Sequence, residues 1–529
     1  MTPSDARVAP NWAEDADAVV VDRVDWLIDN VQTYGRLLDS LRRARRSVHI
    51  AQLAFDADCT VYADDSLPAF VSSDVVMAEV LIDLAREHRV EIRIVVNATW
   101  ILNTARPLRR FFARRGIARE KIEVRGLSRF PHFMHAKVVI IDGQEAFLLG
   151  SPFVNSYWDN GSHIPFDARR PLRELGGRPL HDVSMRVSGS IVGDLERMFA
   201  NLWRAADESE SSDASPAPLR GGEDLALGGV AGTRLVCDAP DGIFPGVPDR
   251  AVRMLVELLA AIERARSLIY IEHQYLTSRP IVSALCEALR RASALEIIIV
   301  LNQNPDLTAY RGWQNAQLRE HALLTHPRVG IFSLWSTDAD PARASRARIN
   351  QLFIHSKVIV VDDEWAAVGT SNLDGVSMGD YGSDFASALG RRVFRGVRNV
   401  EVNVVIDALA AEDRNGDDVN SIVALRERLW QEHFGIPRGE MSVRAHGGWL
   451  ATWREVARSN AESLASLTTN CGATLTMVGR VLPYSDRAHP RDQLADAGIA
   501  LDPARLTLCY DPSWFGVYAS AHWIRNIFG

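Results

Sequence analysis

Two short unbroken apolar runs, Val138-Val-Ile-Ile141 and Val358-Ile-Val-Val361, stand 220 positions apart, and each is closed by an aspartate, Asp142 or Asp362. Four β-branched residues in a row predict a strand buried on both faces. Upstream, LRRARRSVHIAQLAF (41–55) reads as a basic helix end running into a strand, and IERARSLIYIEHQYL (262–276) repeats it. MAEVLIDLAREHRVEIRIVVN (77–97) and IVSALCEALRRASALEIIIVLN (281–302) each pattern as an amphipathic helix followed by a strand. In these two segments Glu91 matches Glu296 and Asn97 matches Asn302. Strand, helix, strand, intervening segment, closing strand is therefore written twice. Such alternation predicts an α/β protein of two similar halves, with mixed, largely parallel sheets flanked by helices.

The same pattern divides the chain. Residues 1–30 read as a polar lead-in, 31–206 as the first half, and 231–436 as the second. Between them, 207–230 is rich in Ser, Asp, Glu, Pro and Gly and predicts a flexible linker. STDADPARASRARIN (336–350) predicts a loop near the site. VNSIVALRERLWQEHFG (419–435) predicts an amphipathic helix stopped at Gly435. The remaining 437–529, with Trp449, Trp453, Trp514 and Trp523, is expected to pack on the second half. Core packing is also the better reading of the aromatic tail 514–529, which has no clear basic face to lay on a membrane.

Composition changes this picture little. The net charge of −8 gives no global attraction to nucleic acid. Five dispersed cysteines suit reduced thiols rather than a disulfide framework. Neither a secretory signal nor a transmembrane helix is evident, so a cytoplasmic protein, peripheral to the membrane at most, is expected.

The chemistry sits at the mouths of the two apolar runs. His135 and Lys137 open the first, His355 and Lys357 the second. Residues two apart share a strand face, whereas the odd offset to Asp142 and Asp362 assigns those aspartates to the scaffold. Each run is followed by a small-residue turn and an asparagine: Gly150-Ser151 with Asn155, and Gly369-Thr370 with Asn372. Imidazole, ammonium, hydroxyl and amide, doubled, suit a phosphodiester. The lysines would neutralise phosphoryl oxygens while the histidines attack and protonate.

These residues make the chain resemble the phospholipase D superfamily, whose signature is His-x-Lys-x4-Asp-x6-Gly-Ser-x-x-Asn in two halves. The second copy fits closely; the first carries one extra residue before Gly150 and places Asn155 20 positions after His135 rather than 17. IYIEHQY (269–275), RPLHDVSMRVSG (178–189) and LRERLWQEHFG (425–435) are similar to the lipid-cleaving branch, and the resemblance spans about residues 35–435. It implies two halves around one shared site, His135 as nucleophile and His355 as general acid/base. Phosphate contacts would come from Lys137, Lys357, Ser151, Thr370, Asn155 and Asn372. It also implies a carboxylate behind each imidazole: Asp182 for His135, and Asp384 for His355, with Glu401 as the rival. Gln274 and Glu272 line the site or support the sheet; His132 and His181 are read as pocket-wall or structural residues. No metal site is assigned, and the Asp413–Ala424 run lacks the Gly and Glu of a calcium loop. No cofactor is required on this reading, though a divalent cation could stimulate the reaction.

The activity implied is hydrolysis of glycerophospholipid headgroups to phosphatidic acid through a phosphohistidine, with water or an alcohol as acceptor, by a monomer without nucleic-acid partners. The alternatives are a cardiolipin-synthase-like phosphatidyltransferase and, further off, a nuclease or DNA-end phosphodiesterase.

Overall fold

In the computed structural model, the described residues are 23–63, 75–100, 102–130, 132–171, 175–207, 232–240, 242–244, 252–306, 308–340, 346–379, 397–409, 417–436, 448–469 and 479–509. The expected linker falls almost wholly outside them, as do Asp384, the aromatic tail and the start of the 413–424 run.

The first half contains β1 (Arg23–Ile28), β2 (Ser47–Gln52), β3 (Glu91–Asn97), β4 (Ile122–Leu127), β5 (Phe133–Met134), β6 (Val138–Ile141), β7 (Glu145–Leu148), β8 (Leu180–His181) and β9 (Val183–Ser188). The second contains β10 (Thr233–Asp238), β11 (Leu268–His273), β12 (Glu296–Leu301), β13 (Val329–Ala339), β14 (Ala347–Gln351), β15 (Phe353–Ile354), β16 (Lys357–Val361), β17 (Trp365–Gly369) and β18 (Asn399–Asp407). The first sheet runs β1-β9-β7-β6-β2-β3-β4 and the second β10-β18-β17-β16-β11-β12-β13-β14, so the same strand order is built twice. Strand β1 lies within the stretch expected to be a lead-in, yet it pairs antiparallel with β9. The first half therefore starts earlier than its polar flank suggests.

The sheets are mixed, but less parallel than the helix–strand alternation predicts. β2-β3-β4 and β11-β12-β13 are parallel, whereas the β1-β9-β7-β6-β2 and β10-β18-β17-β16-β11 ladders are antiparallel. At the β6–β7 and β16–β17 joins the cause is the motif aspartate itself. Asp142 and Gly143 have φ of 55° and 69°, and Asp362 and Asp363 have 54° and 58°. Two residues with positive φ close a tight hairpin whose twist matches the strands it joins. Each aspartate also braces the neighbouring strand. Asp142 accepts from the backbone N–H groups of Arg45, Arg46 and Ser47, and Asp362 from those of Arg266, Ser267 and Leu268.

The apolar runs are buried on both faces because each sheet separates two cores. Val138 and Ile140 join a cluster that also takes in Val358, Val360 and the helices Ser190–Asp207 and Asp417–Phe434. Val139 and Ile141 face the outer core of the first half, and Ile359 and Val361 that of the second. The shared inner cluster thus welds the halves together. Gly435, with φ of 66°, ends the helix of 417–434 where the sequence predicts.

The 336–350 stretch is not a loop throughout. β13 and β14 pair antiparallel through it, and Asp338–Arg348 and Asp340–Arg346 ion pairs lie across the hairpin. Its charges face one another across the hairpin, so the polar composition there marks paired strands rather than a loop. In the C-terminal extension, the helix Trp449–Thr469, β19 (Val481–Pro483) and β20 (Leu506–Leu508) pack on the second half, with β19 pairing β13 and β20 pairing β14.

Candidate active site

The halves exchange contacts at the two histidines. β5, just before His135, pairs parallel with β18 of the other half, and the His135 N–H donates to Val400 O at 3.0 Å. β15, just before His355, pairs parallel with β8 of the first half, and the His355 N–H donates to His181 O at 2.8 Å. Asn97 and Asn302, the matched asparagines, hold these short strands in place. The Asn97 amide donates to Met134 O and accepts from its N–H; Asn302 does the same with Ile354.

This exchange sets the carboxylate partners, and it crosses them. His135 Nδ1–H donates to Glu401 Oε2 at 2.8 Å, and His355 Nδ1–H donates to Asp182 Oδ2 at 2.9 Å. The expectation that Asp182 supports His135 is therefore corrected: Asp182 follows β8 and reaches the histidine of the opposite half. Glu401, the rival residue, stands behind His135, and Asp384 lies outside the described residues. Both imidazoles are fixed by Nδ1, so Nε2 of each is left to face the site.

Ser151 and Thr370 do not present hydroxyls to a phosphate. Each donates to a carboxylate instead, Ser151 to Asp182 Oδ2 at 2.5 Å and Thr370 to Glu401 Oε2 at 2.6 Å. Gly150 and Gly369 permit this closeness, since a Cβ at Gly150 would collide with the Asp182 carboxylate and one at Gly369 with Asn403. Ser377 and Asn399 complete the Glu401 shell at 2.7 and 3.2 Å. Ser377 and Asn399 lie outside both motifs, so nothing in the motifs announces them, whereas Ser151 and Thr370 each follow a motif glycine.

The asparagines part company. Asn155 is locked into its own loop, accepting from Thr60 N–H and donating to Asp58 O; one extra residue before Gly150 and two more after it carry it past the place that Asn372 holds in the second motif. Asn372 is buried, and its Oδ1 has no hydrogen-bond partner among the described residues. Gln274 accepts from Lys357 Nζ at 3.2 Å. Tyr157, which the sequence did not single out, stacks edge-on against His355 at 5.0 Å. His132 lies against Arg398 O at 3.3 Å.

Electrostatics tie the groups into one site. Burial, and then the neighbouring ammonium of Lys357, push Lys137 down to about 7; burial alone pulls Lys357 down to about 8, against the pull of Asp182 and Glu401. His135 is lowered chiefly by burial, with Lys137 and Lys357 adding to it. Burial and Lys357 lower His355 to about 3, with a further push from Lys137. Each lysine is thus felt by the other half's histidine. Two buried lysines and two imidazoles whose protonation is disfavoured make a cluster whose mutual repulsion an anion would relieve.

Residues 258–411 match the family described as cardiolipin synthase, PLD-like domain. The major cardiolipin synthase ClsA of Bacillus subtilis is 25% identical over 365 residues, 66% of this chain and 62% of that protein. Phospholipase D A of Dictyostelium discoideum is 22% identical over 360 residues, 57% of this chain and 27% of that protein. The chain belongs to the phospholipase D superfamily. It spans about three-fifths of the Bacillus protein and 40% of a cardiolipin synthase from Staphylococcus aureus, which is 24% identical. Among solved structures, phosphatidylserine synthase of Haemophilus influenzae aligns over 84% of this chain and 95% of its own, at 10% identity and a TM-score of 0.49. As a superfamily member, the chain carries both His-x-Lys motifs intact, and among the described residues no helix is long and apolar enough to cross a membrane.

Proposed function

We propose that this protein is a phosphatidyltransferase of the cardiolipin-synthase kind, moving a phosphatidyl group between alcohols through a phosphohistidine. The observation that carries this reading is the pair of Nδ1-anchored histidines, backed by carboxylates from opposite halves and flanked by two buried lysines. The similarity to cardiolipin synthases favours transfer over hydrolysis, so transfer replaces headgroup hydrolysis as the leading reading.

His135 Nε2 attacks phosphorus, and the departing alkoxide takes a proton from His355. His355 then removes the proton of the acceptor hydroxyl, whose oxygen attacks phosphorus and releases His135. The more open ring of His135 supports this order: its side chain is 12% exposed against 4% for His355. Lys137 and Lys357 hold the non-bridging oxygens. His355 is kept neutral by burial first and by the charges of Lys357 and Lys137 second, and the bound anion offsets the second of these, favouring the protonated ring that the first step needs.

An exposed aromatic patch offers the lipid a landing place. Trp100 and Phe130 are 62% and 47% exposed, their rings are 5.1 Å apart, and Phe130 packs edge-on against Phe133 of the strand leading to His135. The double change Trp100→Ala and Phe130→Ala is expected to weaken binding to anionic vesicles about tenfold or more, while leaving turnover of a short-chain soluble diester within about twofold. Vesicle sedimentation and a soluble assay separate the two.

Lysine titration sets the alkaline side of the pH profile. A lysine loses its charge as pH rises through its pKa, so kcat/KM should fall from about pH 7–8 upward. Lys137→Arg keeps a cation at every pH and should move that fall upward, at some cost in rate.

Mass spectrometry of products from phosphatidylglycerol vesicles tests the function. Diphosphatidylglycerol with released glycerol is expected; phosphatidic acid alone, even with excess alcohol, would replace transfer by hydrolysis.

A further inference from the structure

A second polar cluster lies beyond the catalytic pair and spans the seam between the halves. Asp29, His163 and His181 come from the first half, and Glu432 comes from the helix Asp417–Phe434. His181 Nδ1 lies 3.2 Å from Asp29 Oδ1 and 3.1 Å from Glu432 Oε1. His163 Nε2 lies 3.2 Å from Asp29 Oδ2 and 3.0 Å from Glu432 Oε1. Both imidazoles are fully buried and Asp29 is 2% exposed.

Contact is not the same as hydrogen bonding here. Neither nitrogen of His181 and not Oδ2 of Asp29 makes a hydrogen bond among the described residues, despite these separations. Among the four, only His163 Nε2 and Glu432 Oε1 are joined by a hydrogen bond, at 3.0 Å; the other donor atoms lie within 4.8 Å of one another without aiming at one another. Ligands of a tetrahedral zinc ion, each about 2.0–2.2 Å from the metal, are spaced about 3.3–3.5 Å apart. An outward shift of a few tenths of an ångström would bring these atoms to that spacing.

The surroundings also match what metal-bound histidines need. The far nitrogen of such a ring usually meets a carboxylate, which fixes the tautomer. His163 Nδ1 faces Asp159 Oδ2 at 3.1 Å, and Asp159 is held by Arg170 at 2.6 Å. His181 Nε2 faces Glu272 Oε1 at 3.0 Å, and Glu272 is held by Tyr270 at 2.6 Å and His433 at 2.7 Å.

We propose that Asp29, His163, His181 and Glu432 bind one divalent transition-metal ion, zinc by preference, as a closed structural site joining the two halves. Two carboxylates neutralise the ion, and two imidazoles favour a borderline metal over magnesium or calcium. The site would also steady the catalytic pair indirectly. Asp29 exchanges backbone and side-chain hydrogen bonds with Asp182, and His181 O receives the N–H of His355. The four positions are scattered along the chain, which is why no spacing motif announces them, and sequence reading assigns no metal.

The test uses the full chain, purified without a metal-affinity step. Elemental analysis is expected to find about one zinc per chain. Stripping with dipicolinate should lower the unfolding midpoint by about 5 °C or more, reversed by zinc chloride and not by magnesium chloride. Glu432→Gln, which keeps the side-chain volume, and His163→Ala should each lose the metal and the zinc-dependent shift; Glu432→Gln answers the question if His163→Ala fails to fold. If the metal-free chain melts at the same temperature with and without zinc, and calorimetry detects no zinc uptake, the cluster is a closed set of ion pairs and the proposal is overturned.

Discussion

His355→Ala is expected to keep the first chemical step with an activated diester and lose the second, whereas His135→Ala loses both. A p-nitrophenyl phosphodiester has a leaving group that needs no proton, so it bypasses the general acid. His355→Ala should then release a burst of nitrophenol close to one equivalent and stall, with the phosphoryl adduct on the peptide containing His135. On a phospholipid, whose alkoxide does need the proton, the same variant should fall by about 10²–10⁴-fold. His135→Ala should give no burst, because no other nucleophile stands in its place. Stopped-flow absorbance and mass spectrometry of the quenched protein read both outcomes, and an adduct on His355 would reverse the order of roles.

The crossed carboxylates make a second large prediction. Glu401→Gln keeps the shape behind His135 but removes the charge that fixes its tautomer and stabilises its charged form, and Asp182→Asn does the same behind His355. In a hydrolase triad the comparable change costs about 10⁴-fold, and about 10³–10⁴-fold is expected here. The steps should differ. Glu401→Gln, a second-half change, should slow the burst that belongs to the first-half histidine. Asp182→Asn should spare the burst with an activated diester and slow decay of the adduct. If each change instead impaired the histidine of its own half, the crossing would have no functional weight.

How far the sequence reveals this arrangement depends on the reach of each contact. The doubled His-x-Lys motif, the matching helix–strand units and the helix ending at Gly435 are local patterns, and around them the two halves share one seven-strand order, which β14 and β20 extend in the second. Asp142-Gly143 is itself a hairpin signal, and it accounts for the antiparallel β6–β7 pairing where alternating helices suggest more parallel strands. The carboxylate partners were not local. His135 and Glu401 are 266 positions apart and His355 and Asp182 are 173 apart, and each pair forms only because β5 and β8 are traded across the seam. Read within one half, Asp182 belongs behind His135; the strand exchange puts it behind His355. Asn155 shows the opposite limit: its late position in the first motif was visible, and the loop built by that shift takes its amide for Thr60 and Asp58. By residue type Ser151 and Thr370 suit phosphate contacts, but the glycine before each lets a carboxylate strand come close enough to claim the hydroxyl.

A crystal structure with vanadate bound tests the convergence of the two halves most directly. One vanadate should sit between the two Nε2 atoms, bonded to His135 and with its opposite apical oxygen against His355, while Lys137 and Lys357 contact its equatorial oxygens. Vanadate held by the residues of a single half, or two ions in separate cavities, would contradict a shared site.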